Sequence, residues 1–340
     1  MKKVTVNMVS ESDLYPKGHG VHTAYDELSC ALEARDDCRV IRGRFGERVT
    51  ADVIHFHTLG SKTWVKMFQK DAKKIVSAHV VPASLVGSIR GARQWLFLAR
   101  WYMRWYYNRA DKVLAVSSMT RQALIDEVKV NPDRIEVLYN TVDMDSYRPG
   151  PTSRADARQR FEIGADERVV VGVGQIQPRK RVDVFVEMAR VMPEVKFIWV
   201  GGIPFKQLGA DYALMQRMIK GRPDNLIITD VVPHEDVIDY LHAADVFCLP
   251  AEQENHPMCV LEAAGAGLPI VVRDIAEYDD TFKWDALRCG SDDEFSEAVS
   301  SLLTDESVRR QWIEKSRLIR DRFDSAAGAD RMMEIYRSLL

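Results

Sequence analysis

The chain has 340 residues, 46% of them apolar, with 47 basic against 50 acidic side chains and a net charge of −3. That length and apolar content suit two ordinary cores, and the near-balanced charge excludes a global field that would gather nucleic acid or anionic lipid, leaving only local patches. The cysteines, Cys30, Cys38, Cys248, Cys259 and Cys289, are scattered, odd in number and without Cys-x-x-Cys spacing; they predict reduced thiols in a cytoplasmic protein, not a disulfide framework or a zinc site.

In chain order, Met1–Ser10 carries basic residues but no long apolar core, so it predicts a first strand and not a signal peptide. No uncharged apolar run reaches the length that spans a bilayer, and both halves have a strand-helix-strand rhythm. The segment Pro16-Lys17-Gly18-His19-Gly20-Val21-His22 precedes helical spacing from Thr23 to Leu32. Gly18 and Gly20 form either a plain turn or one that lets backbone N–H groups approach a phosphate. Asp52–His57 predicts a buried strand with His55 and His57 on one face; without a third ligand the pair reads as structural and not as a metal site. Lys74–His79 predicts the next strand, which ends in His79.

Ile89–Arg109 holds Arg90, Arg93, Arg100, Arg104 and Arg109, no acid, and Trp95, Phe97, Trp101, Tyr102, Trp105, Tyr106 and Tyr107. At about 100° per residue, Arg93, Arg100 and Arg104 fall within about 40° of arc. Such a ridge beside Trp95 and Trp101 suits an anionic membrane surface, where each basic contact contributes about 1 kcal/mol. The same stretch also reads as a helix packed on most sides, its arginines merely solvated. Both hold if its amino-terminal end and the loop Val81–Gly91 touch lipid while the rest packs. Nucleic acid fits less well, since basic clusters do not recur in this half. Ala110–Ser118 predicts another buried strand, and Pro149–Thr152 breaks the pattern at a domain boundary.

The second half opens with a strand at Arg168–Gly174, then Gln175-Ile176-Gln177-Pro178-Arg179-Lys180-Arg181 before a helix. Cations at a strand-to-helix turn match what a leaving diphosphate needs, because fixed positive groups stabilise charge that develops there. Lys196–Gly202 and Asn225–Val232 predict two further strands. The apolar run Asp245–Pro250 leads into Ala251-Glu252-Gln253-Glu254-Asn255-His256 and a small-residue helix ending at Gly265 or Gly267, with Pro257 as first helical residue and Asn255 or His256 as cap. Glu254 then lies in the loop and Glu262 in the second turn. Two acids so placed can hold two hydroxylated parts of one ligand while first-turn N–H groups, at Met258 and Cys259, face an anion between them. A buried loop with incidental acids is the other reading. Glu294–Leu340 is mostly helical.

The stretch Glu254 to Pro269 resembles the Glu-x7-Glu motif of retaining glycosyltransferases of family 4. The resemblance extends to the Lys180 turn, to Asn140-Thr141-Val142-Asp143, similar to the family's Asn-Gly-x-Asp, and to the order of elements along nearly the whole chain. It implies an α/β GT-B fold: two Rossmann-like domains facing a cleft, with an acceptor-binding, membrane-facing domain over 1–149, a nucleotide-sugar domain over 150–325 and a helix at 326–340 crossing back to the first domain. It also implies transfer with retention, no metal, no cofactor and a UDP-hexose as donor substrate. By resemblance Glu262 contacts the ribose and Glu254 the transferred sugar, His79 orients the reacting sugar, and Lys180 offsets the leaving diphosphate, while Arg179, outside the family pattern, is the residue that supplies the charge missing at Gln175. Gly18 and Gly20 close over the diphosphate, Gln175 stands where an Arg is common, Gly202 lies near the nucleotide, the strand end at Val231 holds the base, and His57 lies near the acceptor. The chain departs from the pattern at Asn255-His256-Pro257, where the family has Gly-Phe-Gly and where Pro257 lacks an N–H. Gln175–Asp183, Phe197–Gly202 and Arg273-Asp274-Ile275 are similar to glycolipid synthases of Gram-positive bacteria. With the Arg and Trp helix, this favours a lipid or glycolipid acceptor such as glycosyl diacylglycerol, reached from the inner face of the plasma membrane. A soluble or polyprenyl-linked acceptor, or a non-catalytic membrane-binding module, are the rival readings.

Overall fold

Short runs of Val, Ile and Leu become parallel strands buried on both faces, the pattern expected where crossover helices cover a sheet. The computed structural model describes residues 2–14, 20–86, 91–203 and 211–340. Within them the chain forms two units, one from the segment up to Val86 with Ala92–Asp143 and Phe323–Leu340, the other from Met144–Arg322.

In the first unit β1 (Val4–Val9), β2 (Cys38–Arg42), β3 (Val53–Phe56), β4 (Lys73–Ala78), β5 (Lys112–Ala115) and β6 (Ile135–Val137) lie in the order β2-β1-β3-β4-β5-β6, every pair parallel. The terminal helix, Ser325–Leu339, belongs to this unit. It buries Met332, Met333, Ile335 and Tyr336 with Val4, Val6, Met8 and Val53 of the sheet. The outgoing and returning chains are tied where Val142 N donates to Phe323 O (3.1 Å) and Ser325 N to Val142 O (2.9 Å). Asp324 caps the helix, accepting from Ala326 N at 2.9 Å.

The second unit carries β7 (Val169–Val173), β8 (Lys196–Val200), β9 (Leu226–Ile228), β10 (Val246–Leu249), β11 (Ile270–Arg273) and β12 (Leu287–Cys289) in the order β12-β11-β10-β7-β8-β9. Counted from β7 this is the dinucleotide-fold order, and the strand sequence reverses between β7 and β10, where such sheets hold ligands beyond their carboxyl ends. β7 can lie so close to β8 because position 172 is glycine: a Cβ there would come within 2.6 Å of the Trp199 ring. The unit begins at Met144, ahead of the Pro149–Thr152 break, because Met144 and Tyr147 are buried against the helix Met258–Gly265, a Cβ at Gly265 lying 2.7 Å from Tyr147 Cβ. Its end at Arg322 puts the start of the returning segment at Phe323 and not at 326. No helix among the described residues is long and apolar enough to cross a membrane.

Candidate active site

The turn after β7 and the loop after β10 meet at this reversal point. Pro178–Lys180 forms a single 3-10 turn that leaves Lys180 only 7% exposed. Its Nζ pairs with Glu254 Oε1. Arg179 Nη1 approaches the same oxygen at 3.4 Å and donates to Gln253 O at 3.0 Å. Behind it runs a side-chain relay: Arg179 Nε donates to Gln177 Oε1 (3.0 Å) and Gln177 Nε2 to Gln175 Oε1 (3.2 Å). Glu252 N donates to Arg179 O at 2.9 Å, so backbone also joins the two loops. Arg181 turns away from this cluster and binds Asp183, Glu252 and Asp292. Of the consecutive cations, Arg179 and Lys180 therefore face Glu254, while Arg181 ties the turn to the rest of the unit.

The helix Met258–Gly265 is buried along its whole length, Glu262 included at 4% exposure. Pro257 is its N-cap, in extended conformation, and no side chain caps it, so the helix starts one residue later than its sequence predicts. Burial pushes the Cys259 thiol up to about 12, Lys180 opposing and Glu254 and Glu262 adding to the rise. The three charged groups thus converge on the first turns of one helix. His256 stands where the family pattern has Phe, and it is buried and stacked on Phe282, with centroids 5.4 Å apart and planes 15° apart. Burial lowers its pKa to about 3 against the pull of Asp280. The imidazole is thus a neutral aromatic plug, which keeps the departure at Asn255-His256-Pro257 compatible with a packed loop.

The turn after β8 closes the other side of the β7 turn. Gly201 has φ +138, and a Cβ on it would lie 2.3 Å from Gly174 O; Gly202 O accepts from Ile176 N at 2.9 Å. Gly202 and Val231 come together through Asp230. A Cβ at Gly202 would collide with Asp230 Oδ1, which itself accepts from Val231 N at 2.9 Å. Val231 is exposed, at 56%. Gly18 lies outside the described residues, and Gly20 is the first residue of the helix Gly20–Glu33.

In the first unit His55, His57 and His79 gather at the carboxyl ends of β3 and β4. His55 has both ring nitrogens engaged, Nδ1 with Tyr336 OH and Nε2 with Ser77 Oγ, each at 2.8 Å. It is a structural tie between sheet and terminal helix. His57 Nδ1 lies 3.2 Å from His79 Nε2. His79 is partly exposed and its pKa is lowered to about 4 by burial, so it is neutral at ordinary pH.

The Arg and Trp stretch folds as the helix Ala92–Asn108. Ala99, Met103, Tyr106 and Tyr107 are buried, whereas Arg93, Arg100, Arg104, Phe97, Leu98 and Trp101 are exposed and Trp95 is half-buried. At about 100° per residue the exposed arginines and apolar groups lie side by side over less than half the circumference, and the buried set covers the opposite arc. The packed reading therefore holds on the face of Ala99, Met103, Tyr106 and Tyr107, and the face with the arginines and Trp101 is left exposed. Arg100 is the one of the three ridge arginines with a described acidic partner, Glu127 at 3.1 Å. A neighbouring element was missed from sequence: Trp64, Val65 and Phe68 are exposed, with Trp64 and Phe68 packed on Trp105 at 5.8 and 5.7 Å between ring centroids. Arg109 lies 5.0 Å from both the Phe68 and Trp105 rings. Trp-Val followed three residues later by Phe was the available signal, in a segment too short to show periodicity.

Comparison with known proteins bears on the family and the fold. Residues 153–318 match the family described as Glycosyl transferases group 1, and residues 20–146 match Glycosyltransferase Family 4. The chain is 30% identical over 324 residues to the alpha-galactosylglucosyldiacylglycerol synthase of Streptococcus pneumoniae, covering 94% of this chain and 85% of that one. It is 27% identical over 323 residues to the processive diacylglycerol alpha-glucosyltransferase of Acholeplasma laidlawii, covering 93% of each. Among solved structures, Anabaena HepE in complex with UDP and glucose matches with TM-score 0.78 at 16% identity, over 99% of this chain and 100% of that one. Sucrose-phosphate synthase of Thermosynechococcus elongatus matches with TM-score 0.79 at 18% identity, over 99% of each. With two parallel six-stranded sheets and these likenesses, the chain belongs to the family 4 glycosyltransferases of the GT-B fold.

Proposed function

We propose that the chain moves a hexose, with retention, from a UDP-sugar to a membrane glycolipid acceptor such as glycosyl diacylglycerol. The observation that carries this reading is the Lys180, Arg179 and Glu254 cluster at the reversal point of the second sheet, directly before the first turn of the Met258–Gly265 helix. Free N–H groups and the helix dipole at that turn favour an anion. Lys180 and Arg179 offset the charge that builds on the leaving diphosphate, without a metal. A donor diphosphate competes with Glu254 for Lys180, which frees the carboxylate for the hydroxyls of the transferred sugar, while Glu262 serves the ribose. The leaving phosphate takes the acceptor proton on the same face as the departing bond, and His79 contacts the reacting sugar.

The names of the two relatives support the lipid acceptor, as does the exposed face of Ala92–Asn108. Arginines there meet anionic headgroups while Phe97, Leu98 and Trp101, with Trp64 and Phe68 beside them, enter the acyl boundary. The chain then works as a peripheral protein on a membrane surface. A panel of nucleotide sugars assayed with extracted membrane lipid, with chelator present, tests donor, acceptor and metal independence together. Lys180→Ala should lower kcat by about a hundredfold or more, the scale of losing one fixed charge-stabilising group. Unchanged turnover in a folded Lys180→Ala protein would remove the cluster from the chemistry.

A further inference from the structure

His55, His57 and His79 are not equivalent. His55 is fully buried and satisfied at both nitrogens. His57 is 3% exposed, and its Nε2 is buried without a hydrogen-bond partner among the described residues. Its Nδ1 faces Nε2 of His79 at 3.2 Å. The two ring centroids lie 5.4 Å apart, with planes only 24° apart. The centroid separation exceeds the nitrogen separation by about the radii of two rings, so the nitrogens lie close to the line between the centroids. The rings therefore meet edge to edge through one hydrogen bond and are not stacked face on face.

Two neutral imidazoles sharing one hydrogen bond have two arrangements. If His79 donated, His57 would carry its proton on Nε2, and a buried N–H would be left without an acceptor. If His57 donates, the unpaired atom is a bare nitrogen. Buried N–H groups without partners are rarer than under-satisfied acceptors. Among the described residues the rings packed against His57 supply no charge that would reverse the choice: Tyr25 meets its ring edge-on at 5.4 Å, and His55 lies 4.4 Å away with both its ring nitrogens committed to Tyr336 and Ser77.

We propose that His57 is a positioning residue, its Nδ1–H donating to His79 Nε2 and holding that imidazole as the neutral Nδ1–H tautomer. This rests on the reading above that His79 contacts the reacting sugar. With Nε2 occupied as an acceptor, His79 serves a sugar oxygen as a hydrogen-bond donor through Nδ1 and is no proton acceptor at Nε2. A contact of that kind strengthens as negative charge grows on the oxygen it faces.

The test uses the full chain and combines long-range nitrogen-proton NMR of the histidine rings with steady-state kinetics on UDP-glucose. In the unsubstituted protein His79 should carry its proton on Nδ1. His57→Phe should move that proton toward Nε2 and lower kcat about tenfold or more, the low end for a misplaced proton-carrying group, with donor KM unchanged. His57→Asn, whose amide overlays Nδ1, should restore most of kcat, whereas His57→Gln, whose amide overlays Nε2, should not. Should His57→Phe fail to fold, the Asn and Gln pair decides, and equal activity of the two overturns the proposal. So does a His79 proton on Nε2 in the unsubstituted protein, or wild-type kcat in His57→Phe. His79→Ala separates the layers: full activity there removes the sugar contact, while the tautomer spectrum still tests the role of His57.

Discussion

Lowering the pH from 7 to 5 should weaken the first unit by an amount that the buried histidines set. His55 is fully enclosed, and burial, with a smaller contribution from His79, lowers its pKa from 6.5 to about 3. Between those values the unfolded chain binds a proton that the fold refuses, so stability falls as pH drops below 6.5 and is untouched above it. Over pH 7 to 5 that linkage costs about 2 kcal/mol for His55. His79, lowered to about 4 but partly exposed, adds about 1 kcal/mol after discounting for solvent. Burial pushes His57 the same way. A loss of about 3 kcal/mol or more is a large share of an ordinary domain's 5–15 kcal/mol. Asp37, held at about 2 by Arg35, titrates below this window. Urea unfolding followed by tryptophan fluorescence should show the midpoint falling by about 1 M or more at pH 5, with a slope of roughly 1–3 kcal/mol per M. His55→Gln should flatten the pH dependence by about 2 kcal/mol. A midpoint equal at pH 5 and pH 7 would refute the reasoning.

Other outcomes follow from single contacts. Gly201→Ala forces a Cβ against Gly174 O at a backbone angle that suits glycine; it should cost about 1–3 kcal/mol and raise the donor KM by displacing the Gln175–Lys180 turn, and a wild-type melting temperature would remove that constraint. Met332→Ala, in the seam between terminal helix and sheet, should cost about 2–5 kcal/mol by denaturant titration, and a loss below 1 kcal/mol would mean the seam collapses around the gap. Replacing Arg93, Arg100 and Arg104 by Glu should abolish flotation with anionic vesicles while leaving circular dichroism unchanged; persistent flotation would return that helix to a purely packing role.

The strands were legible because burial on both faces writes itself as uninterrupted apolar runs: Val169–Val173 and Val246–Leu249 both lie where the sequence puts them. The acids were legible too, since a helix of small residues leaves few places for Glu262. Pairings between distant loops were not. Nothing local at Lys180 names Glu254 as its partner, seventy-odd positions on, and the two were read as serving separate parts of a ligand before the structure joined them. The Arg and Trp helix stayed ambiguous because a period of 3.6 reveals two faces without saying which one meets protein. Only the buried Met103, Tyr106 and Tyr107 decide that. His57 beside His79 is legible as two strand ends, but the hydrogen bond depends on β3 and β4 being neighbours in register, Phe56 opposite Val76.

The first unit is assembled from both extremes of the chain. During synthesis the inner surface formed by Val4, Val6, Met8 and Val53 is covered only in part, by Tyr25 and Leu32 of the helix Gly20–Glu33, while the entire second unit is being translated, until Met332, Met333 and Tyr336 arrive and complete its cover. At ribosomal speeds that delay is roughly ten to forty seconds. The nascent protein therefore spends that interval with a greasy flank awaiting its cover, and a premature stop shortly before Met332 would turn a transient chaperone client into a permanent one.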